Sequence, residues 1–512
     1  MAVERKPEGR GLIYRFLDFV ERAGNMLPHP ATLFALMACG VIAGSAVLAS
    51  LDYVARHPTT GEAIVAVSLL NGDGLRRMVT AMVGNFTGFV PLGSVLVAML
   101  GVGVAEGSGL ISAGLRASVL SAPGRLITLV VVFAGVLSNA ASEAGYVILI
   151  PLAAIIFMAM GRHPLVGLAA AFAGVSGGYS ANLVLGLVDP LLSGITEEVA
   201  GIIDPSYTVN PACNYYFMAA STFLVTILGT WVTERIVEPR FKGETPQGER
   251  PTVEALRPEE RRGLKAAGAA TLAMTVLLIV AVVPEGAVLR NPDTGGVLQS
   301  PFLSGIVTII FLFFLVPGIA YGVATRSIRN DSDVINQMGK QISTLGMYIV
   351  LVFFAAQFVA YFAWTNVGLI TAIQGADLLK SIGLTGIPLI LSFVVVAALM
   401  NLMMGSASAK WAVMAPIFVP MFMLLGYSPE LTQAAYRIGD STTNLITPMM
   451  SYFALIVAFA QKYKSDCGIG TIVALMLPYS LTFLIGWTAF LLAWMSLGIP
   501  VGPGAPLYLP AP

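Results

Sequence analysis

The sequence predicts an all-α polytopic membrane protein with about nine transmembrane helices, two re-entrant hairpins and inverted-topology repeats. The first reason is composition: of 512 residues, 56% are hydrophobic and only 11% are charged, whereas soluble domains carry about 25% charge. The second is that apolar segments of roughly 20 residues, enough to cross a bilayer, recur along the chain. The third is an internal repeat.

Composition also excludes several classes of protein. The 28 basic residues balance 28 acidic ones without a basic stripe, which argues against nucleic-acid binding. The three scattered cysteines form neither a disulfide framework nor a metal-binding motif. Each histidine (His29, His57 and His163) precedes a proline, as expected for loops, so a zinc enzyme is not expected. The charged N-terminus has no signal-peptide pattern, and we expect it to be cytoplasmic.

Seven apolar segments predict single membrane spans. They lie near 31–51, 78–105, 213–233, 266–284, 302–325, 343–365 and 470–495.

Two further stretches, 126–161 and 381–429, predict re-entrant hairpins. Each is too long for one helix and too short for two spans with a loop, and each is interrupted by small polar residues, at 138–143 and 405–410. Non-helical backbone at bilayer depth requires cover from protein or a wet cavity, so the tips are candidate ligand contacts. The candidates there are Asn139, Ser142 and Ser408.

An apolar helix with a break in its middle follows each hairpin. The first break has glycines and hydroxyls at 173–182 and then Asp189-Pro190, and the second has a polar run at 437–444 and then Pro448. Such breaks free backbone groups for a ligand, and their matching positions favour a binding site over a simple kink. Asn182 and Asn444 are further candidates.

The matching positions reflect an internal repeat. A shift of 265 residues makes ten residues identical over 144–176 and aligns Tyr146 with Trp411. The aligned pairs include Pro151/Pro416, Gly161/Gly426, Pro164/Pro429 and Gly174/Gly439. We predict a cytoplasmic N-terminus (1–30), a first repeat (31–235, hairpin 126–161, broken helix 164–190), a linker with a connecting helix (236–300), a second repeat (301–497, hairpin 385–425, broken helix 430–461) and an outer tail (498–512).

The basic residues predict the orientation through the positive-inside rule. With the N-terminus inside, 21 of the 28 lysines and arginines lie on the cytoplasmic side and five on the outer side. We therefore expect a multi-pass protein of the inner (cytoplasmic) membrane. An odd number of crossings precedes the second repeat, so the second repeat has the opposite orientation in the membrane from the first.

Charged residues inside the membrane cost about 2.5–3.5 kcal/mol each, and here they occur only at hairpin tips or near helix breaks. They are Glu143, Asp189, Lys410, Arg437 and Asp440. Arg437 and Asp440, three residues apart, share a helix face and can pair. This pair either neutralises itself, or Asp440 takes a proton or cation while Arg437 meets a substrate carboxylate. Asp189 is either a site residue or a helix end at the outer surface.

Two uncharged residues add to the expected site. Trp411 offers an aromatic face for stacking or a cation–π contact, with interfacial anchoring as the alternative. Asn401 either ligates an ion or caps a neighbour, so sodium at Asn401 and Asp440 is a possibility.

Glu143 and Lys410 either orient the tips through salt bridges or contact the ligand.

The stretch Gly405–Tyr452, GSASAKWAVMAPIFVPMFMLLGYSPELTQAAYRIGDSTTNLITPMMSY, resembles the p-aminobenzoyl-glutamate transporter family, AbgT. SNAASEAGYVILIPLAA and GVSGGYSANLVLGLVDP in the first repeat are similar to it too. The resemblance implies an ion-transporter-like fold and homodimers that take up p-aminobenzoyl-glutamate or export sulfonamides with the proton gradient, and it associates sodium with the fold. It places functional positions on Asp189, Asn401, Trp411, Pro429, Arg437 and Asp440.

From this we expect a secondary transporter of aryl amino acids or sulfonamide antimetabolites that is coupled to H⁺ or Na⁺. Of these modes, we expect proton-driven export. An ion-coupled importer is the alternative. A channel would show unsaturable flux, and a membrane enzyme would need a nucleophile–base pair or a metal cluster. The expected partners are the small-molecule substrate, the lipid bilayer and a second copy of the chain, without cofactor or nucleic acid.

Overall fold

The computed structural model describes residues 28–56, 61–141, 144–242 and 255–510. Within this part of the chain the protein is mostly helical, with a short antiparallel pair of strands, Val54–Arg56 and Ala63–Val65. The predicted all-α membrane fold is confirmed. Most of the N-terminal segment 1–30, as well as Ser142 and Glu143 at the first hairpin tip, lies outside the described residues.

All seven predicted single spans contain a long apolar helix. Their bounds are Pro30–Ser50, Gly72–Gly107, Tyr215–Phe241, Pro258–Val282, Ile306–Thr325, Gly346–Trp364 and Ile469–Ser496. With Gly386–Met403, the described residues contain eight helices long and apolar enough to cross a membrane, or nine if the bent pair Leu110–Leu120 and Gly124–Ser138 is one span. Of these nine, Gly386–Met403 and the bent pair contain the first limbs of the two predicted hairpins, and the other seven are the predicted single spans.

Both predicted hairpins consist of two helices joined by a short tip. The first hairpin comprises Ile127–Ser138 and Gly145–Ala159. The second comprises Gly386–Met403 and Ala407–Met423, and Ser406 caps the start of its second helix by accepting from the Ala409 amide. The short polar tips thus interrupt the helices where the sequence predicts.

Both predicted broken helices are also present. The first consists of Pro164–Gly177 and Val188–Ala200, and the second of Pro429–Thr443 and Phe453–Gln461. The predicted end of the first broken helix, at residue 190, is wrong: Asp189 and Pro190 open a new helix, because proline is favourable in a first turn.

Two glycines that the repeat aligns have the same packing role. A Cβ on Gly174 would lie 2.3 Å from the Val132 carbonyl oxygen, and a Cβ on Gly439 would lie 2.6 Å from that of Val394. Only glycine therefore permits each broken helix to pack this closely on the hairpin that precedes it. This shared contact supports the predicted repeat, whose limits remain a prediction.

Several elements were not predicted. Besides the strands, they are the helices Leu110–Leu120, Asp331–Ser343 and Val367–Ser381. The linker between the halves is shorter than expected, since helices continue to Phe241 and resume at Pro258.

The tail packs on the second repeat through the Leu509 amide, which donates to the Gly426 carbonyl at 2.9 Å.

Candidate functional site

The breaks of the two broken helices meet in the interior of the protein. The Ser180 amide, just after the first helix segment, donates to Ser441 Oγ at 3.2 Å. Arg437 Nη2, on the other broken helix, donates to the Ser180 carbonyl at 2.9 Å. Both backbone polar groups of Ser180, at the first break, are therefore bonded to side chains of the second broken helix.

A buried ion pair joins the halves at this crossing. Asp189 Oδ1 lies 2.8 Å from Arg437 Nη1, and Asp189 Oδ2 accepts from the Gly186 amide at 2.8 Å. Asp189 also lies in the first turn of Val188–Ala200, where the helix dipole favours a carboxylate. The alternative that Asp189 ends a helix at the surface is wrong, because it is 7% exposed and begins a helix.

A second buried ion pair lies within the second repeat. Lys410 Nζ is 2.5 Å from Asp440 Oδ1, and both side chains are almost completely buried. Lys410 also donates to Asn401 Oδ1. Asn401 Nδ2 in turn donates to the Asp440 carbonyl at 2.6 Å and to Asn444 Oδ1 at 2.9 Å.

The alternative in which Arg437 and Asp440 neutralise each other is wrong. Spacing on one helix permitted it, but Arg437 is paired with Asp189 and Asp440 with Lys410. Of the two expectations for Lys410, the salt bridge is the one that the structure contains, although its partner is an aspartate on the broken helix. One oxygen of this aspartate, Asp440 Oδ2, has no hydrogen-bond partner among the described residues.

Trp411 lies deep in the protein, as its sequence position indicates, but its ring is enclosed. It is 0% exposed, its indole nitrogen donates to Thr196 Oγ1 at 2.9 Å, and its ring lies 4.5 Å from that of Tyr436. The alternative of interfacial anchoring is wrong. In this conformation, Trp411 joins the second hairpin to the first broken helix and does not present a face to a ligand.

A cavity of about 230 Å³ lies between the two hairpin tips and the two breaks. The Tyr146 and Tyr452 rings stack there, 4.8 Å apart and 10° from parallel. Ligand pockets typically begin at roughly 300 Å³, so this one suits a small ligand. Its lining includes Asn139, Tyr146, Tyr179, Ser408, Asn444 and Tyr452.

The predicted site residues thus fall into two groups. Asn139, Ser408 and Asn444 border the cavity, while Asp189, Asn401, Lys410, Arg437 and Asp440 form the buried ionic centre beside it. Asn444 connects the groups through its bond to Asn401. The remaining predicted residues are set apart: Asn182 accepts from the Val184 amide at 3.3 Å, and Pro429 begins a helix.

A second set of buried polar groups was not predicted from the sequence. Glu430 is 2% exposed and accepts from the Tyr207 hydroxyl at 3.0 Å. One turn further on, Gln433 donates to Asn214 at 2.8 Å. Glu430 directly follows Pro429, at the start of the broken helix. It would have been among the predicted intramembrane charges if that helix had been taken to begin at residue 429.

The structure does not favour sodium between Asn401 and Asp440. The side-chain oxygens that would hold the ion, Asn401 Oδ1 and Asp440 Oδ1, both contact the Lys410 ammonium. A hard cation needs such oxygens as ligands, and the lysine already occupies them. Nor does the described part of the chain contain a cluster of three or more histidine, cysteine, aspartate or glutamate residues that could hold a metal.

Comparison with known proteins agrees with this architecture. The model of the AbgT putative transporter family matches residues 15–509. The p-aminobenzoyl-glutamate transport protein of Escherichia coli (strain K12) is 40% identical over 490 residues, which cover 96% of each chain.

Two solved structures are also similar to the whole chain. The YdaH transporter of Alcanivorax borkumensis is 50% identical, with a TM-score of 0.90 over 93% of this chain and 100% of that one. MtrF of Neisseria gonorrhoeae, described as illuminating a class of antimetabolite efflux pumps, is 54% identical, with a TM-score of 0.90 over 96% of this chain and 100% of its own. The resemblance noted in the sequence is confirmed, and the chain belongs to the AbgT family of multi-pass membrane transporters, which are not enzymes.

Proposed function

We propose that the protein is a proton-driven exporter of small aryl compounds, namely p-aminobenzoyl-glutamate-like amino acids and sulfonamide antimetabolites. The observation that carries the proposal is the cavity of about 230 Å³ that both halves line, with two buried ion pairs beside it. The name of the E. coli relative supports p-aminobenzoyl-glutamate and the description of MtrF supports antimetabolites, while the sulfonamide class follows from the family resemblance of the sequence.

The cavity has the chemistry for an aryl ligand with polar arms. Aromatic rings stack favourably at the separation of Tyr146 and Tyr452, and amide and hydroxyl side chains at the two tips can meet a carboxylate or sulfonyl group. This assigns ring recognition to the tyrosines rather than to Trp411, which is enclosed.

The ionic centre supplies the coupling. Protonating one carboxylate of a buried pair leaves its partner an uncompensated charge, which is strongly unfavourable. Proton uptake at Asp440 or Asp189 therefore changes which arrangement of hairpins and helices is stable. Alternating access then needs only that the two arrangements expose the cavity to opposite sides.

The setting of the transporter in the cell forms part of the proposal. The distribution of basic residues supports an N-terminus on the cytoplasmic side of the inner membrane, and the family resemblance supports a homodimer. Labelling of single introduced cysteines in intact cells tests the orientation, and cross-linking in membranes tests the dimer.

The decisive experiment is flux of labelled p-aminobenzoyl-glutamate and sulfonamide in proteoliposomes with proton and sodium gradients imposed separately. Saturable movement against the direction of proton entry supports the exporter. Uptake that requires inward sodium or proton flow supports the alternative, an importer, and flux that does not saturate would indicate a channel.

A further inference from the structure

Glu430 is a buried carboxyl group that the proposed transport mechanism does not use. It is 2% exposed and lies in the first turn of Pro429–Thr443. None of the ion pairs between described residues includes it. A carboxylate that is buried without a cation is strongly unfavourable, and such a group takes up a proton instead. We therefore expect Glu430 to be a neutral acid in this conformation.

The start of this helix does not require a carboxyl group. The shift of 265 residues that aligns Pro164 with Pro429 also aligns Leu165 with Glu430. Leu165 is 1% exposed and has the same position at the start of its own helix, Pro164–Gly177. The first repeat thus forms the equivalent turn with an apolar side chain. A buried acid that breaks the local pattern and that the fold does not need indicates a function.

Glu430 lies where the two halves of the protein meet, at the end that carries the tail. The Tyr207 hydroxyl, on a loop of the first repeat, is 3.0 and 3.2 Å from the two carboxyl oxygens. Asn214, at the end of the same loop, donates to the Glu430 carbonyl at 2.8 Å. The tail adds to this cover, since the Ser428 amide donates to the Leu507 carbonyl at 3.1 Å. We call these five residues the tail-side junction.

The elements around Glu430 offer no free cation. Residues 164–234 and 465–512 contain no lysine, arginine or histidine, and both cations of the ionic centre are paired with carboxylates. Hydroxyl groups and the N-terminus of its own helix stabilise an ionised Glu430 only when water also solvates it. The titratable groups on the helix end, loop and tail that pack there are all acidic or neutral, namely Glu197, Glu198, Asp204, Tyr207, Cys213 and Tyr508.

We propose that Glu430 is a proton-binding residue that controls the tail-side junction: its neutral form permits the junction to close, and its ionised form keeps it open. When the halves part, water reaches the carboxyl group, which releases its proton to that water. Closing requires that a proton from the same water adds to a carboxylate oxygen and restores the neutral acid. Because closing takes up one proton, low pH favours the closed junction and rising pH opens it.

This inference goes beyond the proposed function and rests on it only for the parting of the halves. In the proposed orientation the tail lies outside, so the pH that Glu430 senses is that of the outer solution. The control differs from coupling, because the proton returns to the side from which it came. Glu430 therefore determines when the outer end closes and does not itself carry a proton across the membrane.

The junction and the ion pair between the halves lie between the same two helices. Gln433, one turn after Glu430, accepts from Thr196 Oγ1 at 2.5 Å. Thr196 is on the helix Val188–Ala200, which begins with Asp189 in its first turn. Parting of these helices at the junction therefore also separates the groups at the crossing. Closure controlled by Glu430 thus acts on the elements that hold the proposed coupling residues.

A native cysteine at the junction provides the test. The Cys213 side chain is 0% exposed and directly precedes Asn214. In full-length protein with Cys39 and Cys467 replaced by alanine, the rate at which a membrane-impermeant maleimide labels Cys213 is measured across pH. Division by the rate for the same protein unfolded in dodecyl sulfate at each pH removes the pH dependence of the thiol itself.

The normalised rate should rise with pH, by up to about tenfold per pH unit because one proton is released. In Glu430→Gln, which cannot ionise, the rate should stay low at every pH. Glu259→Gln, which changes an exposed glutamate, should behave as the parent protein. If E430Q does not fold, Glu430→Leu carries the same test, since leucine occupies the aligned position 165.

A parent protein whose labelling does not change with pH, or a folded E430Q with the same rise as the parent, would overturn the proposal. The profile should be equal in sodium and choline chloride. Slower labelling at high pH in sodium would show that a metal cation replaces the proton, and would also overturn it. Labelling requires no substrate, so absent flux of the aryl compounds refutes the proposed function and leaves this result standing.

Discussion

At the first hairpin tip Tyr146 borders the cavity, whereas its counterpart at the second tip, Trp411, is fully enclosed. The first tip contributes polar side chains to the cavity wall, while the second is also joined to its broken helix by the Lys410–Asp440 pair. Two segments related by sequence thus have different environments in one conformation. Among the described residues of the two tips, it is the second tip that an ion pair holds to its broken helix.

The largest effect should come from removing that charge. Asp440→Ala leaves the buried Lys410 ammonium without a partner, at a cost of about 3–5 kcal/mol in unfolding free energy. We expect a lower melting temperature and loss of proton-coupled flux in proteoliposomes. The double variant K410M/D440N should recover the melting temperature but not the coupling, and wild-type flux from folded D440A would remove Asp440 from the coupling role.

Removing the enclosed aromatic side chain tests the comparison directly. Trp411→Ala opens a void in a closed environment, and buried Trp→Ala substitutions cost about 3–5 kcal/mol of stability. We expect a clear decrease in melting temperature with little change in the KM for aryl substrates of the folded fraction. A selective increase in that KM would instead show that Trp411 reaches the substrate.

The ion pair between the halves should be sensitive to the geometry of its cation. In Arg437→Lys the charge remains, but a single ammonium cannot reproduce the fork that bonds Asp189 and the Ser180 carbonyl. Loss of one charge-assisted bond costs about 1.5–3 kcal/mol. The melting temperature and the flux should both decrease. Unchanged values would show that contact of the arginine with two groups is unnecessary.

The smallest effect is expected at the first tip. Tyr146→Ala removes one ring of the stacked pair, and such contacts contribute about 0.5–1.5 kcal/mol. Affinity for the aryl substrates should fall by up to roughly tenfold without loss of coupling. Tyr146→Phe, which keeps the ring, is the matched control, and equal losses in both variants would refute a stacking role.

Much of the site could be anticipated because breaks in apolar helices are visible locally. Glycines and small polar residues at 173–182 and 437–444, followed by Pro190 and Pro448, marked the two breaks, and the rarity of buried charge marked Asp189, Lys410 and Asp440. Glu430 was overlooked at the edge of its helix. The stacking of Tyr146 on Tyr452 could not be anticipated, because nothing local distinguishes a tyrosine in a cavity from one in a lipid-facing helix.

The sequence by itself determined the membrane spans, the hairpins, the breaks and the membership of the family. These depend on apolar length and on residues with special backbone preferences, which act within a few residues of chain. Only the tertiary structure decided the ion partners. Arg437 and Asp440 are one turn apart, yet each is bonded to a charge from another element, because the helices cross where Asp189 and Lys410 provide closer partners.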